Sequence, residues 1–343
     1  MRLITLYLFV IAIGLNCFAW DDETATKALA VLQEQGAPAA IAFADKHEIS
    51  PYSLGNRLLR SGDIAGAKHW FESLADQTDE AQYRYGLAYA QWVSGNHAVA
   101  LKDAHFLLAS EPPPKIRART YYLTSQIHLA AYDLEAAEQD SLSSLAIYQS
   151  LDGMAGGEYL NHMILANVRL NRGEYDAAQS HLDAAIEANG RLQALGKKPY
   201  SLGAYYDLLG SLNLAQGNYF QALTMTRQSY DAFVNNGNRL LAEQAEAKTA
   251  LLFLLAGNPE KAYKMAHTIW ERTSHDDHRA YVRALNDITL MKLSQCNNHE
   301  ADATSRKRAT LAWANANPGG RMLKKLLQTI ENTPCPDLTA HHH

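Results

Sequence analysis

The chain has 343 residues, of which 47% are hydrophobic and 20% are charged, so it has ample apolar material for a folded core and is not a disordered protein. Its formal net charge is −5, and no run of Lys and Arg interrupts that balance. A chain without a basic field or a basic patch is a poor match for a phosphate backbone, which argues against nucleic acid as a partner.

The N-terminal segment 1–19 predicts a secretory signal. It has one basic residue, Arg2, then an apolar run from Leu6 to Ile13 and a small-residue end at Ala19. An uncleaved membrane anchor would need about 20 apolar residues, which this stretch barely reaches. A lipoprotein signal at Cys17 is disfavoured because Asn16 precedes the cysteine. We expect cleavage after Ala19, a periplasmic or secreted mature chain, and no membrane span in that mature chain.

One short phrase then recurs along the chain: a turn glycine, a polar residue, an aromatic or aliphatic residue, two free positions and an alanine. The copies begin at Gly62, Gly95, Gly173, Gly217 and Gly257. Degenerate copies begin at Tyr132 and Cys296, so the turns lie 33 to 44 residues apart. Recurrence at such a period is the signature of a repeat architecture.

Each phrase predicts the turn of a helical hairpin. Glycine accepts the left-handed conformation that ends a helix, and the Asp or Asn beside it caps the next helix. The alanine lets two helices approach closely. Residues 20–47 look like a further, degenerate hairpin around Gly36. Residues 318–343 contain one amphipathic stripe, which predicts a C-terminal capping helix and tail: Met322, Leu323, Leu326, Leu327 and Ile330.

The pattern resembles the tetratricopeptide repeat (TPR) family, in an exported type with long repeats. The resemblance is clearest in Leu87, Ala88, Gly95, Ala100 and Pro112. It implies an all-α, right-handed α-solenoid of about seven to eight hairpins, with the repeat array over residues 48–317. The large aromatic residue that the family has late in the first helix is missing from most copies.

In that family the first helix of each hairpin lines a groove, which here points to a partner-binding surface. Counting back from the turns places tyrosines at one groove position of three successive repeats and mainly amides at the next. Rings beside amides suit an extended peptide. The resulting groove residues are Tyr52, Asn56, Arg60, Tyr85, Tyr89, Trp92, Tyr122, Gln126 and Asn167. The alternative is that the tyrosines only bridge adjacent hairpins. The family's Lys and Asn clamp for a peptide C-terminus is not reproduced.

Two cysteines, Cys296 and Cys335, remain in the mature chain, and an oxidising compartment predicts a disulfide between them. A zinc site is the alternative, because His299 forms a C-x-x-H pair with Cys296 and three histidines end the chain at 341–343.

No enzyme motif is present, and the Tyr and His residues have structural explanations in a repeat protein. We therefore expect a non-catalytic protein without a cofactor or metal, which binds a protein or peptide partner along its groove. Two alternatives remain open. One is a sensory module acting through a separate membrane kinase or cyclase, and the other is a scaffold for envelope polysaccharide export.

Overall fold

The computed structural model describes residues 23–78, 80–274, 279–317 and 320–335, apart from the side chain of Met322. The predicted signal segment 1–19 lies outside the described residues. The helices in the described ranges are α1 (Glu23–Gln35), α2 (Ala37–Lys46), α3 (Pro51–Ser61), α4 (Ile64–Gln77), α5 (Ala81–Val93), α6 (His97–Ala109), α7 (Pro114–Ala130), α8 (Leu134–Gln149), α9 (Ala155–Arg172), α10 (Tyr175–Ala194), α11 (Gly203–Ala215), α12 (Tyr219–Asn235), α13 (Arg239–Leu255), α14 (Pro259–Thr273), α15 (Ala280–Cys296), α16 (Glu300–Ala316) and α17 (Gly320–Glu331).

Consecutive helices pack in pairs, from α1 with α2 to α15 with α16, and α17 closes the array. The described residues contain no β-strand. The first helices of successive hairpins also contact each other, as α3 does with α5 and α5 with α7. The predicted all-α solenoid of helical hairpins with a capping helix is confirmed.

The turn phrase works as its chemistry predicts. Gly62 has φ +88° and ends α3, and the Asp63 carboxylate accepts a hydrogen bond of 2.8 Å from the Gly66 amide at the start of α4. Ala67, five residues after the glycine, is fully buried where the two helices meet. The degenerate copy at Tyr132 keeps the left-handed turn without glycine, with φ +62°.

The last copy of the phrase begins two residues later than the sequence pattern predicts. Cys296 is still the final residue of α15, and the left-handed residue is Asn298, with φ +58°. The buried alanine is therefore Ala303, whereas Ala301 is exposed. Asn tolerates the left-handed conformation better than other residues that have a Cβ, so the turn forms there rather than at the cysteine.

The long spacing in the middle of the array has two sources. Helices α9 and α10 have 18 and 20 residues, and an irregular connection over residues 195–202 separates α10 from α11. This connection lies against the candidate site described below.

A close approach of three helices fixes the first part of the array. The Phe71 ring of α4 lies between Gly55 of α3 and Gly86 of α5. A Cβ atom would lie 2.4 Å from that ring at Gly55 and 2.5 Å at Gly86, so neither position has room for a side chain. The absence of side chains here brings α3 and α5 together, and with them Tyr52 and Tyr85.

At the other end α17 packs its apolar stripe against the last hairpin. Leu323, Leu326, Leu327 and Ile330 are each exposed by 2% or less. A disulfide joins Cys296 to Cys335 with the Cα atoms 5.5 Å apart, as expected. It consumes both thiols that the zinc alternative would need, and the histidines at 341–343 lie outside the described residues.

Candidate functional site

Most of the predicted groove residues meet at one cavity. Its volume is about 410 Å³, and its predicted lining residues come from the first helices α3, α5 and α7 of three successive hairpins. They are Tyr52, Asn56, Arg60, Tyr85, Tyr89, Tyr122 and Gln126. We call this space the tyrosine cavity.

The tyrosines of the cavity are also packing residues. Tyr85 and Tyr122 are only 8% and 7% exposed, and Tyr52 packs against Phe71 with ring centroids 5.7 Å apart. Tyr89 lies 6.2 Å from Tyr85 in a stacked arrangement. Tyr85 also shares an apolar cluster with Leu123 and Ile127 of the next hairpin, so this ring both lines the cavity and bridges adjacent hairpins. The two interpretations drawn from the sequence are therefore not exclusive. Truncation to Ala would disturb the fold as well as the cavity.

Arg119 of α7 is the central cation of the cavity. Its guanidinium carbon lies 5.9 Å from the centre of the Tyr52 ring, and the Tyr148 hydroxyl is a neighbouring polar group that favours its charged form. Burial disfavours its charged form, but Tyr52, Tyr85 and Tyr148 outweigh that effect, so the pKa of Arg119 lies above its ordinary value. No Asp or Glu of the described residues forms an ion pair with it.

The hydroxyls of the cavity stay protonated at physiological pH. Burial raises the pKa of Tyr148 to about 12, although Arg119 opposes the shift, and it raises the pKa values of Tyr85 and Tyr122 well above the ordinary range. These groups are therefore neutral hydrogen-bond donors. The Tyr122 hydroxyl is buried without a hydrogen-bond partner among the described residues.

Two glycines at the start of α9 open the opposite wall. A Cβ atom at Gly157 would lie 2.4 Å from the Tyr148 ring, and one at Gly156 would lie 3.3 Å from the Tyr200 ring. Tyr200 also stacks on Tyr159 with centroids 4.9 Å apart. These glycines let two further rings reach the cavity from outside the first helices.

A short bridge closes one side of the cavity. The Lys197 ammonium donates a hydrogen bond of 2.7 Å to the Gly153 carbonyl oxygen, which connects the segment after α10 to the segment before α9. The Asn189 side chain exchanges hydrogen bonds of 2.8 and 3.1 Å with the Tyr200 backbone and so holds that ring in place. Both Lys197 and Tyr200 line the cavity.

Two predicted groove residues lie elsewhere, so their assignment to this surface is corrected. Trp92 is 2% exposed and packs in the apolar cluster with Leu107 and Ile127. Asn167 is fully buried and accepts hydrogen bonds from the Asn171 side chain. Trp92 follows Tyr85 by seven residues, so it lies on nearly the same face of α5 but about 10 Å further along the helix axis, in the apolar cluster rather than at the cavity.

Sequence reasoning missed part of the cavity. Arg119 and Lys115 lie on α7, but they precede Tyr122, which the repeat pattern predicts as the groove position of that helix. Tyr148 belongs to the second helix of its hairpin, and Tyr200 lies in a connection between hairpins. Counting groove positions on first helices cannot find either ring. The only signal was the Gly156–Gly157 pair at the start of a long helix.

A pair of histidines forms a separate titratable cluster between α9 and α10. The Nδ1 atoms of His162 and His181 lie 3.2 Å apart. Burial, followed by the neighbouring His162 and Arg169, lowers the pKa of His181 to about 4. The described residues contain no group of three or more His, Cys, Asp or Glu side chains that could hold a metal ion. In the same ranges, none of the helices combines the length and the apolar character that a membrane span requires.

No protein-family model matches the chain, and no curated protein matches it. Solved structures do. One is a chain of the crystal structure of the APC/C hetero-tetramer Cut9-Hcn1, with a TM-score of 0.59 and 14% identity over 78% of this chain and 46% of that one. This chain thus spans less than half of that chain's length. Another is the Rap protein complexed with Competence and Sporulation Factor, with a TM-score of 0.58 and 14% identity.

The match to the Rap protein covers 90% of this chain and 96% of that chain, so it includes nearly all of both proteins. Both neighbours are TPR-type repeat proteins. The predicted resemblance is confirmed at the level of the fold: the chain has a TPR-type fold.

Proposed function

We propose that this chain is a non-catalytic interaction module that binds a peptide, or an extended segment of a partner protein, in the tyrosine cavity. One observation carries the proposal: equivalent side chains from three successive hairpins meet at one cavity of about 410 Å³. Its volume lies within the range of about 300–1,000 Å³ that is typical of ligand sites, and its walls combine aromatic rings with amides and cations. Aromatic rings and amides supply the contact area and the backbone hydrogen bonds that an extended peptide requires.

The fold supports this assignment. The Rap protein, which has a similar chain length and fold, was crystallised with the Competence and Sporulation Factor bound to it. The Cut9-Hcn1 structure is a hetero-tetramer. TPR-type folds thus associate with other molecules in both neighbours. At 14% identity the neighbours do not identify the partner of this chain.

The composition of the cavity supports a binding role rather than catalysis. The described lining residues include no Ser, Cys, His, Asp or Glu, the side chains that most often act as nucleophile or general base near neutral pH. Their functional groups are tyrosine hydroxyls, side-chain amides and the Arg and Lys side chains, which are well suited to holding a ligand.

Export to an extracytoplasmic space is also part of the proposal. It rests on the signal-like segment 1–19, and the Cys296–Cys335 disulfide supports it because such bonds persist mainly in oxidising compartments. Mass measurement of the protein recovered from its extracytoplasmic fraction tests this part. A chain beginning at Trp20 is expected, and a full-length chain retained in the cytoplasm would contradict export.

Site-specific photo-crosslinking tests the binding site. Tyr89 is half-buried and lines the cavity, so replacing it by p-benzoylphenylalanine places a reactive group at the site. Phe220, which is 74% exposed on α12, receives the same replacement as the control. Both proteins are irradiated in the native extracytoplasmic fraction.

We expect one discrete adduct from the Tyr89 position that the Phe220 position does not form. The adduct should weaken when Asn56→Ala removes an amide from the same cavity. Identical adducts from both positions, or an Asn56-independent adduct, would reject the cavity as the binding site.

A further inference from the structure

The tyrosine cavity has an unusual charge for this protein. The described residues that line it include four cations, Arg60, Lys115, Arg119 and Lys197, and no Asp or Glu. The whole chain carries a net charge of −5, so acidic residues are in excess elsewhere. A positive cavity on a negative protein attracts anions to this place in preference to the rest of the surface.

Among these four cations, Arg119 is the one best suited to bind an anion. It is half-buried among tyrosine rings, and within the described residues its partners are tyrosines rather than a carboxylate. Charges removed from water are usually paired, because desolvation is costly without a counter-charge. A planar guanidinium is well matched to a carboxylate, which it can hold through two parallel hydrogen bonds.

A second observation points the same way. The Tyr122 side chain lines the cavity at 7% exposure, and its hydroxyl has no hydrogen-bond partner in the described part of the chain. This hydroxyl is a donor that lacks an acceptor. The hydroxyl oxygen is almost inaccessible in the unliganded chain, so a ligand oxygen supplies the acceptor when the ring turns toward the cavity on binding.

From these observations we infer that the tyrosine cavity recognises a carboxylate group, held by Arg119 with help from the tyrosine hydroxyls and the surrounding cations. The inference deepens the proposed function, on which it rests: the segment of the partner that enters the cavity carries an Asp or Glu side chain. A free small carboxylate has the same chemistry and is separated from the peptide by the test.

The test uses the mature full chain and a library of short immobilised peptides, randomised except for one fixed residue. That residue is Glu, Gln or phosphoserine in three matched sets. N-acetylglutamate serves as a free small carboxylate, measured by calorimetry. The variants are Arg119→Met and Arg119→Lys. Arg117→Met is the matched control, because Arg117 belongs to the same helix but does not line the cavity.

We expect the wild-type chain to bind the Glu set about tenfold or more better than the Gln set, the ratio typical of a hydrogen bond to a charged group. Arg119→Met should reduce that ratio to near one. Arg119→Lys should retain part of it, because the Lys ammonium keeps the positive charge but not the two parallel hydrogen bonds of the guanidinium. Arg117→Met should leave it unchanged. Circular dichroism verifies the fold of each variant. If Arg119→Met does not fold, the comparison of Arg119→Lys with wild type decides.

The other outcomes separate the two proposals. Equal binding of the Glu and Gln sets would overturn the carboxylate inference and leave peptide binding intact. A preference for phosphoserine over Glu would also overturn it. Arg119-dependent binding of N-acetylglutamate without any peptide binding would support the carboxylate site and reject the peptide function. No binding of any probe would overturn the inference.

Discussion

The Tyr122 hydroxyl leads to a prediction in which stability and binding change in opposite directions. Its ring is 93% buried and packs in the main apolar cluster, whereas its hydroxyl has no hydrogen-bond partner in the described chain. A hydroxyl buried without a partner costs about 1–3 kcal/mol. Tyr122→Phe keeps the ring and removes that group. We expect the free energy of unfolding to rise by about 1 kcal/mol, while affinity for the ligand falls.

The matched control is Tyr148→Phe. Tyr148 is equally buried and lines the same cavity, but its hydroxyl has Arg119 as a polar neighbour. Removing the hydroxyl leaves a half-buried cation with one polar partner fewer. We expect this variant to lose about 1–2 kcal/mol, the lower part of the range of about 1–3 kcal/mol for removing one partner of a buried polar group.

Both variants are measured by urea unfolding followed by circular dichroism, with hydrogen exchange of α7 and α8 as a local readout, because repeat arrays need not unfold in one step. Destabilisation by Tyr122→Phe of about 1 kcal/mol or more would refute the reasoning. It would mean that the hydroxyl makes a favourable interaction in the unliganded protein. Unchanged ligand affinity would remove this hydroxyl from the site.

Three further predictions concern other parts of the array. Gly157→Ala should weaken ligand binding at least tenfold, on the order of 1.4 kcal/mol by calorimetry, because the new Cβ would lie 2.4 Å from the Tyr148 ring. Gly190→Ala is the control: it has open space around it, so it should raise the free energy of unfolding by about 0.5–1 kcal/mol. Cys335→Ser opens a loop with a sequence separation of 39 and should lower the free energy of unfolding by about 4 kcal/mol. Hydrogen exchange should rise first in α17, and a uniform rise along the whole array would contradict this order. The pKa of His181 is lowered to about 4, so as pH falls from about 6.5 the unfolded chain takes up the proton first and stability declines. The shift corresponds to about 3 kcal/mol, which solvent screening of the half-buried ring reduces to about 2 kcal/mol, and His181→Gln should flatten this slope in unfolding titrations.

The repeat architecture could be predicted from the sequence because it depends on local chemistry. A turn such as Gly62-Asp63 needs only a residue that accepts the left-handed conformation and a side chain that caps the next helix, and both are visible in the letters. The predicted position of a turn was wrong where the glycine of the phrase is replaced by another residue. Near the last turn Asn298 replaces glycine, and the choice between it and Cys296 depends on how far α15 extends.

Some residues of the candidate cavity could likewise be predicted from the sequence, and others could not. Tyr52, Tyr85 and Tyr122 could be located because each occupies the same position on the first helix of its hairpin, and stacked hairpins bring equivalent positions together. That rule carries no information about Tyr148 and Tyr200, which reach the cavity from outside the first helices.

Only the tertiary structure decided how the cavity closes and what charge it presents. Tyr148 reaches Arg119 because Gly157 leaves room for its ring, and Lys197 crosses to Gly153 because a long helix and an irregular connection return the chain to this point. These contacts join residues that are distant along the chain. Helical periodicity specifies which face a residue lies on, but not which distant residue packs against that face, because that depends on how all the intervening hairpins stack.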